Sequence, residues 1–184
     1  MTLTRGTERR FHNPVQKDVV TFLETVEETG RTLVEVELAP GGGTPRHRHG
    51  SYAEHFEVLD GELTVHRNGT DHVLHAGETA VAEIGDVHRF ANRSDRPARF
   101  RVELRPGHRG FEKTIQLGYG LAVDGLVRKD GTPKQLTHLA VMSAWGDMQV
   151  VGPLAALNPL LGVLARRAER SGAARALARR YVTL

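Results

Sequence analysis

Three histidines and one glutamate are spaced so that they could surround a single metal ion. His47 and His49 stand two residues apart, Glu54 follows five residues later, and His88 comes further along the chain. Residues two apart on a β-strand point to the same side, so the imidazoles of His47 and His49 can reach one point. Neutral imidazoles with a carboxylate suit a borderline divalent ion, so we predict one site for iron, manganese, cobalt, nickel or zinc.

The segments around these residues have the pattern of short β-strands joined by tight turns. Val34 and Val36 alternate with Glu35 and Glu37, which is typical of a strand with one buried and one solvent-facing side. The dipeptide Asn68-Gly69 is a strong hairpin signal. Roughly eight or nine such strands at close spacing predict an all-β fold, either a double-sheet barrel or a sandwich.

The same residues form two motifs that resemble those of the cupin family. The first motif is matched by Gly41, His47, His49, Glu54 and Gly61, and the second by Gly77, Gly85, His88 and Asn92. Glu83 stands where the family usually has proline, a difference that touches no ligand position. The resemblance covers roughly residues 18–106 and implies a jelly-roll barrel (a double-stranded β-helix) whose four ligand residues hold the metal.

Outside the barrel the sequence pattern changes at both ends. We predict an N-terminal arm at residues 1–17, the cupin barrel at 18–110, and a mainly helical C-terminal extension at 111–184. Within the extension, Asn158 and Pro159 are predicted to begin a helix as its N-cap and first residue. We expect the extension to pack on the barrel or on a partner subunit, because cupins often form homodimers. A basic helix lying on an anionic membrane is the alternative.

Apolar residues of the extension are expected to pack within it. We interpret Met142, Trp145 and Met148 as packing for the helical segment rather than as a lid over the barrel mouth. An apolar stripe with arginines opposite needs a partner surface. The residues of this stripe are Leu154, Leu157, Leu160, Leu161, Leu164 and Ala168.

The basic charge of the chain is concentrated at its C-terminal end. The net charge is +3, yet six arginines from Arg166 onward stand against the single acidic residue Glu169, so the barrel region is nearly neutral. With few aromatic residues as well, this pattern excludes a typical nucleic-acid binder. The chain has no cysteine and therefore no disulfide or thiolate ligand. No apolar leader and no apolar run of about 18 residues is visible, so we expect a cytoplasmic protein and consider membrane binding the less favoured alternative.

The side chains that alternation turns inward near the metal are mostly apolar. The predicted substrate pocket consists of Val34, Val36, Phe56, Val58, Phe90, Asn92 and Val102. Such a pocket suits a small organic molecule with an apolar body and a metal-binding oxygen edge. Asn92 would either orient a ligand or stabilise a turn, and the sequence leaves both roles open.

Two functions of different classes fit these residues. The leading hypothesis is a small metal-dependent enzyme that resembles a dioxygenase, an isomerase or a cyclase. A dioxygenase would be an oxidoreductase. Glu54 is its catalytic candidate, as a base as well as a ligand, because few other inward acid–base groups are visible. The alternative is a non-catalytic cupin that binds or senses a small molecule. Fold and ligand set alone do not choose between them.

Overall fold

The computed structural model describes residues 9–184, with the side chain of Leu154 excepted. Residues 1–8 of the predicted arm lie outside the described residues. The strands are β1 (Arg10–Asn13), β2 (Asp18–Glu24), β3 (Thr32–Leu38), β4 (His47–His49), β5 (Ala53–Asp60), β6 (Glu62–Arg67), β7 (Thr70–His75), β8 (Thr79–Ala82), β9 (His88–Ala91), β10 (Ala98–Arg105) and β11 (Met148–Val150). The α-helices are α1 (Val26–Thr29), α2 (Arg109–Val123), α3 (Leu136–Trp145), α4 (Asn158–Ser171) and α5 (Ala173–Tyr181), with a 3-10 helix at Gly152–Leu157.

Two antiparallel sheets enclose the core of the barrel. One sheet has the strand order β1-β2-β3-β10-β5-β8, and the other has the order β11-β4-β9-β6-β7. The chain crosses between the sheets at β4, returns at β5, and crosses again at β6, which is the connectivity of a jelly roll. The predicted all-β barrel with helices after it is therefore confirmed. Among the described residues, no helix is both long and apolar enough to cross a membrane.

The core follows the period-two pattern of the strands. On β10, Phe100 and Val102 are buried between the sheets. The alternate residues Arg99 and Arg101 lie on the outer face, where each comes within 3.5 Å of Glu35. Burying one such apolar side chain contributes about 1.5–3 kcal/mol, whereas a solvent-exposed ion pair contributes at most about 1 kcal/mol. The inward residues thus decide the register of these strands.

Part of the segment predicted as an arm belongs to the sheet. Strand β1 pairs antiparallel with β2, and Phe11 packs edge-on against Phe22 with ring centroids 5.8 Å apart. This strand was not evident from the sequence because a single apolar residue, Phe11, stands among polar neighbours. The placement of domain boundaries at residues 17 and 110 stays a prediction.

Helix α2 lies between the barrel and the rest of the extension. Phe111 and Ile115 pack against the barrel core, while Leu117 belongs to the cluster of buried residues shared with α3 and α5. The buried carboxylate of Glu112 accepts hydrogen bonds from the backbone N–H of Val26 at 2.8 Å and from the hydroxyl of Thr32 on β3 at 2.7 Å. These contacts fix α2 on the barrel, because a buried carboxylate needs its hydrogen-bond donors.

Two details of α4 differ from the prediction. Asn158 is the first residue of the helix rather than its cap, and its side chain makes a pair of hydrogen bonds with the backbone of Val150. Leu161 and Ala165 are buried against α3, whereas Leu160 is 47% exposed. The buried face follows the i, i+4, i+7 spacing of Leu161, Ala165 and Ala168, and Leu160 lies beside that face.

Candidate metal centre

The four predicted ligand residues lie together at one end of the barrel. Strand β4 carries His47 and His49, β5 carries Glu54, and β9 carries His88. One ligand atom from each of the four lies within 4.8 Å of the others. His47 is the register partner of His88, while Glu54 comes from the opposite sheet. The cluster therefore joins the two sheets of the barrel.

Hydrogen bonds orient the imidazoles so that their Nε2 atoms face the cluster. Nδ1 of His47 lies 2.8 Å from the carbonyl oxygen of Pro45, and Nδ1 of His88 lies 3.0 Å from that of Asp86. A ring nitrogen beside a carbonyl oxygen must carry the proton and donate it, which leaves Nε2 bare. This is the arrangement in which histidine binds metals.

The carboxylate of Glu54 lies between His49 and His88. Its Oε1 lies 3.3 Å from Nε2 of His49, and its Oε2 lies 3.3 Å from Nε2 of His88. Burial alone would raise the pKa of Glu54, but the contacts with His49 and His88 hold it well below its usual range. Burial lowers the pKa of His47 to about 3, so this imidazole stays neutral. Burial alone would lower the pKa of His88, but the hydrogen bonds and charges of Glu54 and Asp86 together outweigh burial and raise that pKa. An ionised carboxylate with three imidazoles fits a divalent transition-metal ion, which would displace any proton that His88 carries on Nε2.

Tyr52 is a neighbour of the cluster that the sequence analysis missed. Its ring stacks on His49 with centroids 4.3 Å apart, and its hydroxyl donates a hydrogen bond of 2.8 Å to the carbonyl of Gly146. The same hydroxyl lies 3.4 Å from Nε2 of His49. Tyr52 stands two residues before Glu54, so strand alternation could have placed the two on the same face.

A cavity of about 240 Å3 opens beside the cluster. His47, His49 and Glu54 form part of its wall. Of the predicted pocket residues, the structure places these on the wall: Val34, Val36, Phe90 and Val102. Phe56 and Val58 lie instead in the packed core. They belong to the same buried cluster as Val34 and Val36 but do not line the cavity.

Asn92 stabilises a turn and is not part of the cavity wall. Its Nδ2 donates hydrogen bonds to the carbonyls of Leu38 at 3.0 Å and Arg96 at 2.7 Å. Its Oδ1 accepts hydrogen bonds from the backbone N–H and the hydroxyl of Ser94. The structure thus favours the turn over the ligand-orienting role.

Replacing Asn92 by alanine is expected to lower the free energy of unfolding by about 1–3 kcal/mol, since buried backbone carbonyls lose their donors. Metal binding should change little, because the side chain does not reach the cluster. Urea unfolding and metal analysis of the same preparation measure both quantities. Loss of metal from a stable, folded Asn92→Ala protein would contradict this assignment.

The C-terminal extension closes the barrel mouth. Met142 of α3 and Met148 of β11 line the cavity, together with one face of α2. Met142 also packs against the helical cluster, as interpreted from the sequence, so it serves both the helical segment and the cavity wall. Trp145 does pack in the helical cluster, and its indole N–H donates a hydrogen bond of 3.0 Å to Glu169. Met148 reaches the cavity because the turn after α3 returns the chain to the barrel, where β11 pairs with β4.

Strand β11 fixes the ligand strand directly. It pairs antiparallel with β4, so that Met148 stands opposite His49 and Val150 stands opposite His47. The side chain of Gln149 accepts a hydrogen bond of 2.8 Å from Arg48. The strand that holds two of the four predicted ligands is thus bordered by β9 on one side and by the extension on the other. The sequence did not reveal this pairing, because it joins segments about a hundred residues apart.

A jelly-roll barrel with three histidines and a glutamate at one end defines a cupin. Residues 34–105 match the family model described as Cupin domain. The barrel segment at residues 34–105 therefore matches a cupin domain, as the two motifs predict.

Two curated proteins resemble parts of the chain. It is 32% identical over 82 residues to the Tetracenomycin polyketide synthase protein TcmJ of Streptomyces glaucescens, covering 45% of this chain and 55% of that protein. It is 29% identical over 69 residues to the Oxalate-binding protein of Thermotoga maritima, covering 38% of this chain and 57% of that protein. The chain thus spans just over half the length of these relatives. Among solved structures, the polyketide cyclase RemF from Streptomyces resistomycificus has 22% identity and a TM-score of 0.47, covering 56% of this chain and 78% of that chain.

Proposed function

We propose that this protein is a small metal-dependent enzyme that acts on an oxygen-bearing organic molecule inside the barrel. One observation carries the proposal: the cluster of three histidines and Glu54 borders a largely apolar cavity that α2, α3 and β11 close. A closed apolar cavity with a few convergent polar groups is the usual form of a small-molecule site. Its substrate would place an oxygen at the cluster and an apolar body along the wall.

The favoured substrate class is a phenolic or diketone compound of the polyketide type. The cavity of about 240 Å3 suits a larger and more apolar molecule than a dicarboxylate such as oxalate. The partial similarity to the Tetracenomycin polyketide synthase protein supports the same class. In such compounds, neighbouring oxygens on a flat apolar body provide the metal-binding edge that this arrangement requires.

In the proposed enzyme, His47, His49, Glu54 and His88 would hold one divalent iron, manganese, nickel, cobalt or zinc ion. When bound, such an ion supplies Lewis-acid or redox activation of an oxygen ligand. Glu54 is the one carboxylate of the cluster, and its oxygens could also accept a proton from the substrate. The side chains of α2 and α3 over the cavity would exclude water from the reacting groups.

A substrate screen tests the proposal. Protein loaded in turn with iron, manganese, nickel, cobalt or zinc would be incubated with phenolic, diketone and polyketide-like compounds, with and without oxygen. We expect turnover with at least one metal that is lost in a His49→Ala variant and kept in a His55→Ala variant. Oxygen consumption during turnover would indicate a dioxygenase, and turnover that does not depend on oxygen would indicate an isomerase or cyclase.

If the protein binds these compounds tightly but turns none of them over with any of the five metals, the enzyme assignment is contradicted. That result would support the second candidate, a non-catalytic protein that binds a small molecule. The name of the Thermotoga maritima relative, Oxalate-binding protein, likewise describes binding of a small molecule. We also propose a homodimer in the cytoplasm that binds neither nucleic acid nor membrane. The exposed arginines of α4 and α5 would then remain in solvent, and sedimentation equilibrium with and without anionic vesicles tests this assembly.

A further inference from the structure

A buried polar pair reaches the cavity wall through one of its two members. Tyr119 of α2 lines the wall, and its hydroxyl donates a hydrogen bond of 2.7 Å to Oδ2 of Asp18 at the start of β2. Both side chains are buried, with Asp18 only 1% exposed. Within residues 9–184, the other oxygen of Asp18, Oδ1, has no hydrogen-bond partner. An unpaired buried carboxyl oxygen lowers the stability of the fold. A role in packing alone does not explain why Asp18 is placed here, which points to a role in binding.

The register of the first sheet places this pair far from the metal cluster. Glu54 stands opposite Leu104, which stands opposite Thr32 on β3. Asp18 stands opposite Leu38, at the other end of β3. The six steps along the strand from Thr32 to Leu38 span about 20 Å at about 3.3 Å per residue. The two polar sites therefore lie toward opposite ends of the barrel.

Helix α2 runs alongside the cavity between these ends. His108, the residue before the helix, contacts Tyr52 beside the metal cluster, with ring centroids 4.8 Å apart. Eleven residues later, Tyr119 reaches Asp18, and a helix of that length spans about 16 Å at about 1.5 Å per residue. Between them, the wall is formed by the apolar side chains of Phe111 and Ile115, which share the face of Tyr119. One face of α2 thus extends from the candidate metal centre to Tyr119, and the part of the cavity wall between them is apolar.

The pair can either accept or donate a hydrogen bond. Burial raises the pKa of Asp18 to about 7, against the opposing effect of its hydrogen bond with Tyr119. Burial, followed by the charge of Asp18, holds the pKa of Tyr119 well above its usual range, so Tyr119 stays a phenol. When Asp18 is ionised, Tyr119 donates to it and offers a lone pair to a ligand. When Asp18 is protonated, it can donate to Tyr119, whose own proton is then free for a ligand.

We propose that Tyr119, held by Asp18, binds a hydroxyl or carbonyl oxygen at the far end of the substrate, while the near end occupies the metal centre. The substrate is then an elongated, apolar molecule with oxygen groups at both ends, such as a fused aromatic phenol with a diketone edge. Tyr119 is its specificity-determining residue, and Asp18 is a positioning residue. This inference rests on the proposed function and narrows its substrate class.

Two probes that differ by one hydroxyl test the inference. The first is 4-acetoacetyl-p-terphenyl, whose diketone end suits the metal and whose three rings in line approach the roughly 16 Å between the two ends. The second carries an added hydroxyl on the far ring. Calorimetry with the metal-loaded protein should show about tenfold tighter binding of the hydroxylated probe, the effect of one additional buried hydrogen bond. In Tyr119→Phe the preference should fall to about one, while the affinity for the probe without the hydroxyl stays unchanged.

Two further variants make the result decisive. Asp18→Asn keeps the Tyr119 hydroxyl but weakens the hydrogen bond that holds it, so the preference for the hydroxylated probe should fall to about threefold. This variant tests the inference if Tyr119→Phe does not fold. Tyr181→Phe removes a hydroxyl that binds Asp124 at 2.6 Å, away from the cavity wall, and should keep the full preference. An equal preference in wild type, Tyr119→Phe and Asp18→Asn would overturn this inference and leave the proposed function standing. Failure of the metal-loaded wild type to bind either probe would overturn both.

Discussion

Replacing His49 by alanine is expected to abolish stoichiometric metal uptake while the barrel remains folded. The side chain supplies one of four donors, and its Nε2 lies 3.3 Å from the carboxylate of Glu54. Loss of even an outer hydrogen-bond partner of a metal ligand costs about 10–100-fold in affinity, so loss of a ligand itself should exceed that range. The strands bury their own apolar core, so the variant should stay folded although it loses the stacking of Tyr52, about 1 kcal/mol, and the contact of His49 with Glu54.

Elemental analysis of protein purified without an affinity tag measures the metal content, and circular dichroism checks the fold. His55→Ala is the matched control, since His55 follows Glu54 directly on the same strand but does not belong to the cluster. It should retain the wild-type metal content. Full metal occupancy in His49→Ala would show that the metal binds elsewhere.

Replacing Gly110 by alanine is expected to lower the free energy of unfolding by about 3 kcal/mol, the upper part of the range for overpacked sites. A Cβ atom at this position would lie 1.8 Å from the carbonyl oxygen of Trp145. The contact is with backbone, so it cannot be relieved by rotating a side chain. Helices α2 and α3 would have to separate, and because both line the cavity, ligand binding should weaken as well.

Gly162→Ala provides a control that is expected to raise the free energy of unfolding rather than lower it. Gly162 lies inside α4, and an added Cβ there would meet only the end of the Arg166 side chain at 3.6 Å. Alanine is the better helix former, so this variant should gain up to about 1 kcal/mol. Urea unfolding of both variants measures the difference. A Gly110→Ala protein as stable as the wild type would show that the two helices are not in close contact.

The sequence alone predicted the four residues that cluster at the candidate metal centre, and it predicted the class of fold. His47 and His49 share a strand face because they are two residues apart, and this relation depends only on local geometry. The alternation that buries Phe100 and Val102 is local in the same sense. Such patterns survive in any fold that keeps the strands, so they could be recognised before the structure was known.

Alternation nevertheless does not fix how deep an inward residue lies. Val34 and Phe56 both face the interior, yet Val34 borders the cavity and Phe56 lies in the packed core. The difference depends on which side chains of other strands lie against each residue. Likewise, the motif position of Asn92 did not reveal that its amide is fully engaged in holding a turn.

Only the tertiary structure shows how the cavity is closed and which polar group lies at the end away from the candidate metal centre. Strand β11 pairs with the ligand strand, and Tyr119 reaches Asp18, across about a hundred residues of chain in each case. Neither contact follows from local periodicity, because a helix or strand pattern reports only which residues share a face and not which distant face they meet. The packing of α2 between the barrel and the other helices brings those distant faces together, and with them the two polar ends of the cavity.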